Sequence, residues 1–456
     1  MNLSIFREYD IRGVYPSELN RQNVIKIGAL LAMELLHRGG ENIGVGYDAR
    51  LHSLEIFGWL CEGLSAGGAV VYDLGLIPTP VAYFAGHIDF DGITLDGSVM
   101  ITGSHNPPQY NGLKITLFKE PFFGKQIYNL AEEFYVLKMP KTQIIKAKKL
   151  PALEKYINFM AQEFKNLVGL KIPLCLDCGN GVAGVAITKI LDKIGITYKG
   201  LFLNPDGNFP NHHPDPSEEK NLENLKAVIQ KEGGIGFAFD GDGDRLATLT
   251  PKRNIKGDEM AIIFASHIKN PIVVGEVKCS LNMYDFINQI GKAIMYKTGH
   301  SNLKMKLKET KADMAFEVSG HIFFNDRYFG YDDAIYAALR VLELVKKEGL
   351  NFDKILERLP KLYSTDEIKI PTTEEKKFKI IMHLREKLLR LPDDFPSVVE
   401  VVNIDGVRVI FEEGWGLIRA SNTTPMLITR FEAKSQEKLK IYQEALLGLL
   451  KDLIKS

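Results

Sequence analysis

Three aspartates separated by single glycines, Asp240, Asp242 and Asp244 in DGDGDR, are the most chemically loaded segment of this 456-residue chain. Carboxylates this close repel one another unless a cation stands among them, so the spacing points to a hard divalent metal. An EF-hand calcium loop does not fit. Counted from Asp240, position six is Arg245 where that loop needs glycine, and position twelve is Pro251 where it needs glutamate. Magnesium, which keeps coordination places for water and a phosphate oxygen, fits better. The preceding run GIGFAF is an apolar strand that would carry the carboxylates into the protein, which weighs against a solvated acidic turn.

Three more polar loops could act beside it. In TGSHNPPQYNGLK, Ser104 stands between Gly103 and His105, and Pro107 and Pro108 fix backbone angles, so the loop is stiff enough to aim a hydroxyl. A serine is a poor nucleophile unaided, but phosphoserine can carry a phosphoryl group when a cation neutralises it. In RASNTTP, Arg419 offers a planar fork of donors and Ser421, Asn422, Thr423 and Thr424 add hydroxyl and amide groups, a composition that suits a phosphate monoester; a capped turn is an equal alternative for this pattern alone. In FEVSGHIFF, Glu317 could accept from adjacent sugar hydroxyls, with Ser319 beside it and His321 either assisting or buried as a core histidine. Lys278 and His300 add groups that could meet phosphate.

The elements that must position these loops repeat. IGVGYDARLHSLEIFGWLCEGLSAGGAVVYDL from Ile43, IPLCLDCGNGVAGVAITKILDKIGITYKGLFL from Ile172 and IVVGEVKCSLNMYDFINQIGKAIMYK from Ile272 each spell strand, turn, amphipathic helix, strand, at the size of a βαβ unit. Leu54, Phe57, Cys61 and Leu64 in the first helix, and Leu281, Tyr284 and Ile287 in the third, predict faces that pack on a sheet. After each unit a further strand runs into one of the loaded loops. This predicts an α/β protein of three similar domains with mixed sheets, their loops converging on a central cleft beyond strand ends. The remainder, from KKFKIIMHLREKLLRL through VVEVVNIDGVRVIF to a closing helix, predicts a separate α+β unit. The expected domains are 1–150, 151–250, 251–362 and 363–456.

Bulk composition excludes several other roles. Lys plus Arg and Asp plus Glu both number 57, so no global field recruits nucleic acid or an anionic membrane. The start MNLSIFREYD lacks a signal-peptide pattern, and no apolar run approaches the ~20 residues that span a bilayer, so a cytoplasmic location is expected. Cys175 and Cys178 form a CxxC inside an apolar run, which favours buried small hydrophobes over a redox pair; Cys61 and Cys279 stand alone.

TGSHNPPQYNGLKI, DGDGDR, EVSGH and RASNTTP occur in this order and spacing in the α-D-phosphohexomutase family, and the chain resembles its bacterial phosphomannomutase/phosphoglucomutase branch along its whole length. FREYDIRG, DCGNGVAG, DGNFPNHHPDP, EVKCS and KTGHS match as well. The resemblance implies four domains around one cleft and makes Ser104 the phosphoserine. It implies that Asp240, Asp242 and Asp244 hold Mg²⁺ together with the Ser104 phosphate. Glu317 and Ser319 would grip the sugar, and Arg419, Ser421, Asn422 and Thr423 the phosphate that is not transferred. Tyr9, Arg12, His105, Lys114, Arg245, Lys278, His300 and His321 match further cleft residues, with Lys114, Arg245 and, in reserve, His300 managing the hydroxyl proton. The implied reaction interconverts hexose 1-phosphate and hexose 6-phosphate through a 1,6-bisphosphosugar, with glucose 1,6-bisphosphate as activator, in a phosphoprotein that acts as a monomer.

Two positions depart from the family pattern: Phe316 stands where glycine precedes the sugar-loop glutamate, and Ala334 where FGxDDG ends in glycine. Phe316 is expected to crowd the loop or alter its backbone. The alternative readings are a phosphoglucosamine mutase of the same family, or a metal-dependent sugar phosphatase.

Overall fold

The structure is a computed structural model that describes residues 5–422 and 424–455. The repeated grammar becomes a repeated sheet. In the first, strands Val70–Leu76, Asn42–Tyr47, Gly97–Ile101 and Tyr110–Leu117 lie side by side. In the second they are Lys199–Leu201, Leu174–Asp177, Ile235–Phe239 and Leu246–Leu249, and in the third Lys292–Tyr296, Ile272–Glu276, Met314–Phe316 and Ile322–Phe324. Each time the first three strands are parallel and the fourth returns antiparallel. Helices Ser53–Ala66, Gly184–Ile194 and Leu281–Ile290 make the crossovers. Each loaded loop therefore joins the end of a parallel strand to its antiparallel neighbour: Ile101 to Tyr110, Phe239 to Leu246, and Phe316 to Ile322.

One apolar core runs through the three units, from Ile77, Val81 and Phe84 by way of Leu176 and Phe237 to Phe316, Phe324 and Ile335. The fourth sheet is antiparallel, Tyr363–Ser364, Met426–Ala433, Gly414–Ala420, Val407–Phe411 and Val398–Val402 in that order. It has its own core, including Leu384, Phe411, Phe431 and Leu446, under helices Glu374–Lys387 and Gln436–Lys455. Its RASNTTP loop joins the strands Gly414–Ala420 and Met426–Ala433. Val277, Trp415 and Leu417 pack it on the third unit. Among the described residues no helix is long and apolar enough to cross a membrane.

Several expectations change in detail. Leu54 is exposed rather than sheet-facing, because the helix Ser53–Ala66 turns Ile56, Leu60, Cys61 and Leu64 inward. Phe316 does not crowd the loop. Its ring is fully buried between Phe264 and Phe324, and its backbone is an ordinary strand paired to Gly275 and Ile322. Ala334 opens the helix Ala334–Glu348 behind its cap Asp333. All four cysteines are buried and free, and burial pushes the thiols of Cys61 and Cys175 up to about 12, which suits inert packing.

Helices Arg21–His37 and Ser53–Ala66 cross closely through two glycines: a methyl on Gly63 would stand 2.2 Å from the Ile25 carbonyl oxygen, and one on Gly28 2.8 Å from that of Leu60. Overpacking of this kind costs about 1–3 kcal/mol. Gly63→Ala should therefore lower the first calorimetric transition by about 3–10 °C. Gly58→Ala, on the same helix with open space around it, should leave that transition unchanged or raise it.

Candidate active site

The Ser104 loop is held from behind by one arginine. Arg50, 2% exposed, donates to the carbonyls of Ser104 (2.9 Å), Asn106 (2.6 Å), Pro107 (2.7 Å) and Tyr110 (2.9 Å), and its Nε donates to Asp48 (3.2 Å). Asp48 also accepts from the Ser53 hydroxyl and the Arg50 amide. A guanidinium is the side chain suited to this, with five donors in one rigid plane. The restraint keeps Ser104 at φ 49°, a left-handed angle costly for a serine, with its amide on Thr102 Oγ1 at 2.8 Å.

So held, Ser104 Oγ donates to Asp240 Oδ2 at 2.9 Å and lies 3.1 Å from His105 Nδ1. The two loops touch because residue 241 is glycine: a Cβ there would lie 2.5 Å from the Ser104 carbonyl oxygen. Asp240 Oδ1 accepts from the amides of Gly243, Asp244 and Arg245, which folds the DGDGDR loop around its own first carboxylate. Asp240, Asp242 and Asp244 are wholly buried. Lys114, opposite Met100 on the antiparallel strand, donates to Asp242 Oδ2 at 2.7 Å and to Asp244 Oδ2. Thr79 adds its hydroxyl to Asp242 Oδ2 and its amide to the Asp242 carbonyl at 2.8 Å.

This arrangement leaves Asp242 Oδ1 and Asp244 Oδ1 buried without a hydrogen-bond partner, and ligand atoms of all three aspartates lie within 4.8 Å of one another. A hard divalent cation fits that donor set. Burial, together with the charges of Asp242 and Asp244, pushes Asp240 well above the carboxylate range, as expected of a cluster short of counter-charge. Burial works against the Lys114 charge, but Asp242 and Asp244 outweigh it and raise its pKa.

The third loop docks on the second. Leu246 donates its amide to the Gly320 carbonyl (3.0 Å), and Arg245 Nε donates to His321 Nε2 (3.0 Å). Glu317 accepts from the Gly299 amide (2.6 Å) and from the Ser319 hydroxyl (3.2 Å). Burial and neighbouring Glu276 raise its pKa to about 7. Lys278 donates to Glu367 at 2.7 Å and lies 3.4 Å from Glu276; burial opposes its charge, but these carboxylates raise its pKa.

Tyr9 ties the sheets together. Its hydroxyl donates to the Thr298 carbonyl (2.7 Å) and accepts from Asn302 and from Asn422 of the fourth unit. Arg12 donates to Asn106 Oδ1 (3.0 Å) and to Asp10. Arg419 donates through Nε to Asp405 (2.9 Å), which also accepts the Thr298 amide. Ser421 Oγ accepts from the Thr424 amide and hydroxyl. Thr423 lies outside the described residues.

Several residues of the site escaped the sequence reading. Arg50 and Asp48 sit in YDAR, just past the first strand of the first repeat, where a charged pair at a strand end was the available signal. Lys377, 2% exposed, donates to the Ser421 and Thr424 carbonyls behind the RASNTTP loop. Lys304 and Asp332 form a buried ion pair at 2.7 Å beside His300; the adjacent aspartates of FGYDDA were the clue to the second.

Family models for phosphoglucomutase/phosphomannomutase match in chain order: alpha/beta/alpha domain I over residues 3–132, domain II over 154–253, domain III over 256–363 and the C-terminal domain over 367–449. The chain is 40% identical over 452 residues to the phosphomannomutase/phosphoglucomutase of Pseudomonas syringae pv. tomato, covering 96% of this chain and 93% of that one. It is 38% identical to the phosphoglucomutase of Neisseria gonorrhoeae, covering 96% and 95%. A crystal structure of a phosphoglucomutase/phosphomannomutase family protein from Burkholderia thailandensis superposes with a TM-score of 0.90 at 37% identity, over 99% of this chain and 98% of that one.

The paired free oxygens make a direct test. Millimolar Mg²⁺ or Mn²⁺ should raise the Tm of the wild-type protein by several degrees, since a ligand at 100 times its Kd adds about 2.7 kcal/mol. Asp242→Asn should lose most of that rise; an equal rise in the variant would show that the ion binds elsewhere.

Proposed function

This chain belongs to the phosphoglucomutase/phosphomannomutase family, and we propose that it interconverts hexose 1-phosphate and hexose 6-phosphate, of mannose, glucose or both, through phospho-Ser104 and a 1,6-bisphosphosugar. The observation that carries the reading is the meeting of Ser104 Oγ with Asp240 at 2.9 Å, beside two buried carboxylate oxygens that lack partners. As an isomerase it changes the position of the sugar's phosphoryl group with no net gain or loss of phosphate.

In the proposed cycle the bond from Ser104 Oγ to phosphorus breaks as the free sugar hydroxyl bonds to that phosphorus. The bisphosphate then reverses end for end, its other phosphoryl group returns to Ser104 Oγ, and the isomeric monophosphate leaves. A divalent cation held by Asp240, Asp242, Asp244 and the Ser104 phosphate, which we take to be Mg²⁺, would supply charge neutralisation there. Lys114 and Arg245, both held charged by surrounding carboxylates, suit the equatorial oxygens of a loose transition state, in which the sugar hydroxyl loses its proton late and a proton ends on the departing Ser104 Oγ. Glu317 and Ser319 would hold the sugar, with Tyr9, Arg12, His105, Lys278, His300 and His321 lining the cleft. Arg419, Ser421, Asn422 and Thr423 would take the distal phosphate, and glucose 1,6-bisphosphate would restore the phosphoserine when it is lost. We place the domain limits near 150, 250 and 362 and the protein in the cytoplasm as a monomer, with no nucleic-acid or membrane partner.

Phosphorus NMR of purified protein with Mg²⁺, a trace of glucose 1,6-bisphosphate and either mannose 1-phosphate or glucose 1-phosphate should show conversion to the 6-phosphate without free phosphate. Ser104→Ala should lose at least about 10³-fold in kcat. Accumulating free phosphate would mean a phosphatase instead, and turnover of glucosamine phosphate in preference to both sugars would favour the amino-sugar mutase.

Glu317 accepts sugar hydroxyls as a carboxylate, and with its pKa raised to about 7 it is protonated below that pH. KM should rise severalfold as pH falls from 8 to 6. In Glu317→Gln the rise should shrink to the part contributed by the substrate phosphate, whose second pKa is about 6.

A further inference from the structure

Behind the cleft, Lys304 and Asp332 form a buried pair that the proposed cycle does not use. Lys304 is 9% exposed and Asp332 wholly buried, with Nζ 2.7 Å from Asp332 Oδ1 and 3.8 Å above the centre of the Tyr83 ring. The same ammonium lies 3.3 Å from His300 Nδ1, one turn earlier on the helix His300–Thr310.

Burial lowers the pKa of Lys304, but Asp332 at 2.7 Å opposes that and keeps it an ammonium, which has protons to give and no lone pair, so a nitrogen facing it must accept. Asp332 Oδ2 is 3.7 Å from His300 Nδ1, too far to receive a proton from it. Tyr9 and His321 make edge contacts with the ring at centroid distances of 6.0 and 5.6 Å, and the charges of Lys114 and Arg12 also reach it. Burial and the charges of Lys304 and Lys114 hold His300 well below the usual imidazole range, so near neutral pH it carries one proton. His321 shows the opposite arrangement: Arg245 donates into its Nε2 at 3.0 Å, with Asp244 Oδ1 3.3 Å from the same nitrogen, which leaves its proton on Nδ1, 3.4 Å from Glu317 Oε2 and 3.7 Å from Asp332 Oδ2.

We propose that Lys304, anchored by Asp332, is a positioning residue that fixes His300 in its Nε2–H tautomer, so that His300 meets the bound phosphosugar as a hydrogen-bond donor and not as a base. The pair of histidines then has fixed and opposite polarity. A bisphosphate that reverses in the cleft presents each of its ends to the same donor pattern, which a freely switching imidazole would not provide. The identity of the ligand rests on the mutase reading; the tautomer does not.

The test is long-range proton–nitrogen correlation NMR on ¹⁵N-histidine-labelled protein at pH 7.5, with His300→Gln identifying the signal. Wild type should show Nε2 protonated and Nδ1 bare. Lys304→Met, unbranched and of similar length but without the charge, should give an averaged or reversed pattern and lower kcat by about 10–100-fold with KM changed less than about threefold. Lys304→Arg should recover the tautomer and most of kcat. A wild-type signal with Nδ1 protonated overturns the proposal, as does an unchanged tautomer in a folded Lys304→Met. If Lys304→Met fails to fold, the wild-type spectrum and Lys304→Arg decide. A correct tautomer in a protein without mutase turnover would sink the functional reading and leave this inference standing.

Discussion

Charge that cannot reach water is the constraint on which this molecule is built. Asp240, Asp242, Asp244 and Asp332 are all wholly buried within one region, and desolvated carboxylates of this kind are tolerated only when each finds a counter-charge. Lys114 serves two of them, Arg245 stands beside the first and third, and Lys304 takes the fourth. Even so, Asp242 Oδ1 and Asp244 Oδ1 stay buried without a hydrogen-bond partner, and Asp240 is pushed well above the carboxylate range, so counter-charge falls short at the second unit's loop. The strand order follows from this need. Lys114 reaches the second unit's loop because its strand returns antiparallel beside the strand that delivers Ser104.

The same economy recurs at the loops themselves, where buried cations grip backbone carbonyls instead of carboxylates. Arg50 does so behind Ser104, and Lys377 behind Ser421. At the join of the third and fourth units, Arg408 donates to the Val277 and Cys279 carbonyls and stacks 3.8 Å over Trp415, while Arg430 donates to the carbonyl of Lys278. A loop held by its carbonyls keeps its shape whatever its side chains are binding, which is what a site serving two substrate orientations requires.

Much of this was legible in the residues. Alternating carboxylates, a proline-stiffened serine loop and a threefold strand–helix–strand grammar are local patterns, and local patterns reach the sequence directly. The three sheets and their loop positions follow from them. Arg50 and Lys377 were missed because each acts on carbonyls brought near only by folding, with no more signal than a charged pair in YDAR for the first; Lys304 lies one turn from His300, but its partners Asp332 and Tyr83 come near only in the fold. Leu54 was misjudged because a heptad-like interval cannot say where a helix begins, and one residue of phase turns a side chain from sheet to solvent. Phe316 was judged by the glycine it replaces, whereas its ring belongs to the far side of the strand.

The phenol of Tyr9, bonded to Thr298, Asn302 and Asn422, has a consequence in time as well as in space. Its partner in the fourth unit lies 413 residues further along the chain. At ribosomal rates of about 5–20 residues per second, Tyr9 waits roughly 20–80 s after its own synthesis before that contact can form. The three α/β units share a core whose last residue is Leu356, so a nascent or prematurely terminated chain can hold that core yet lack the fourth unit's share of the site. Completion of the cleft thus doubles as a record that translation reached the last sheet.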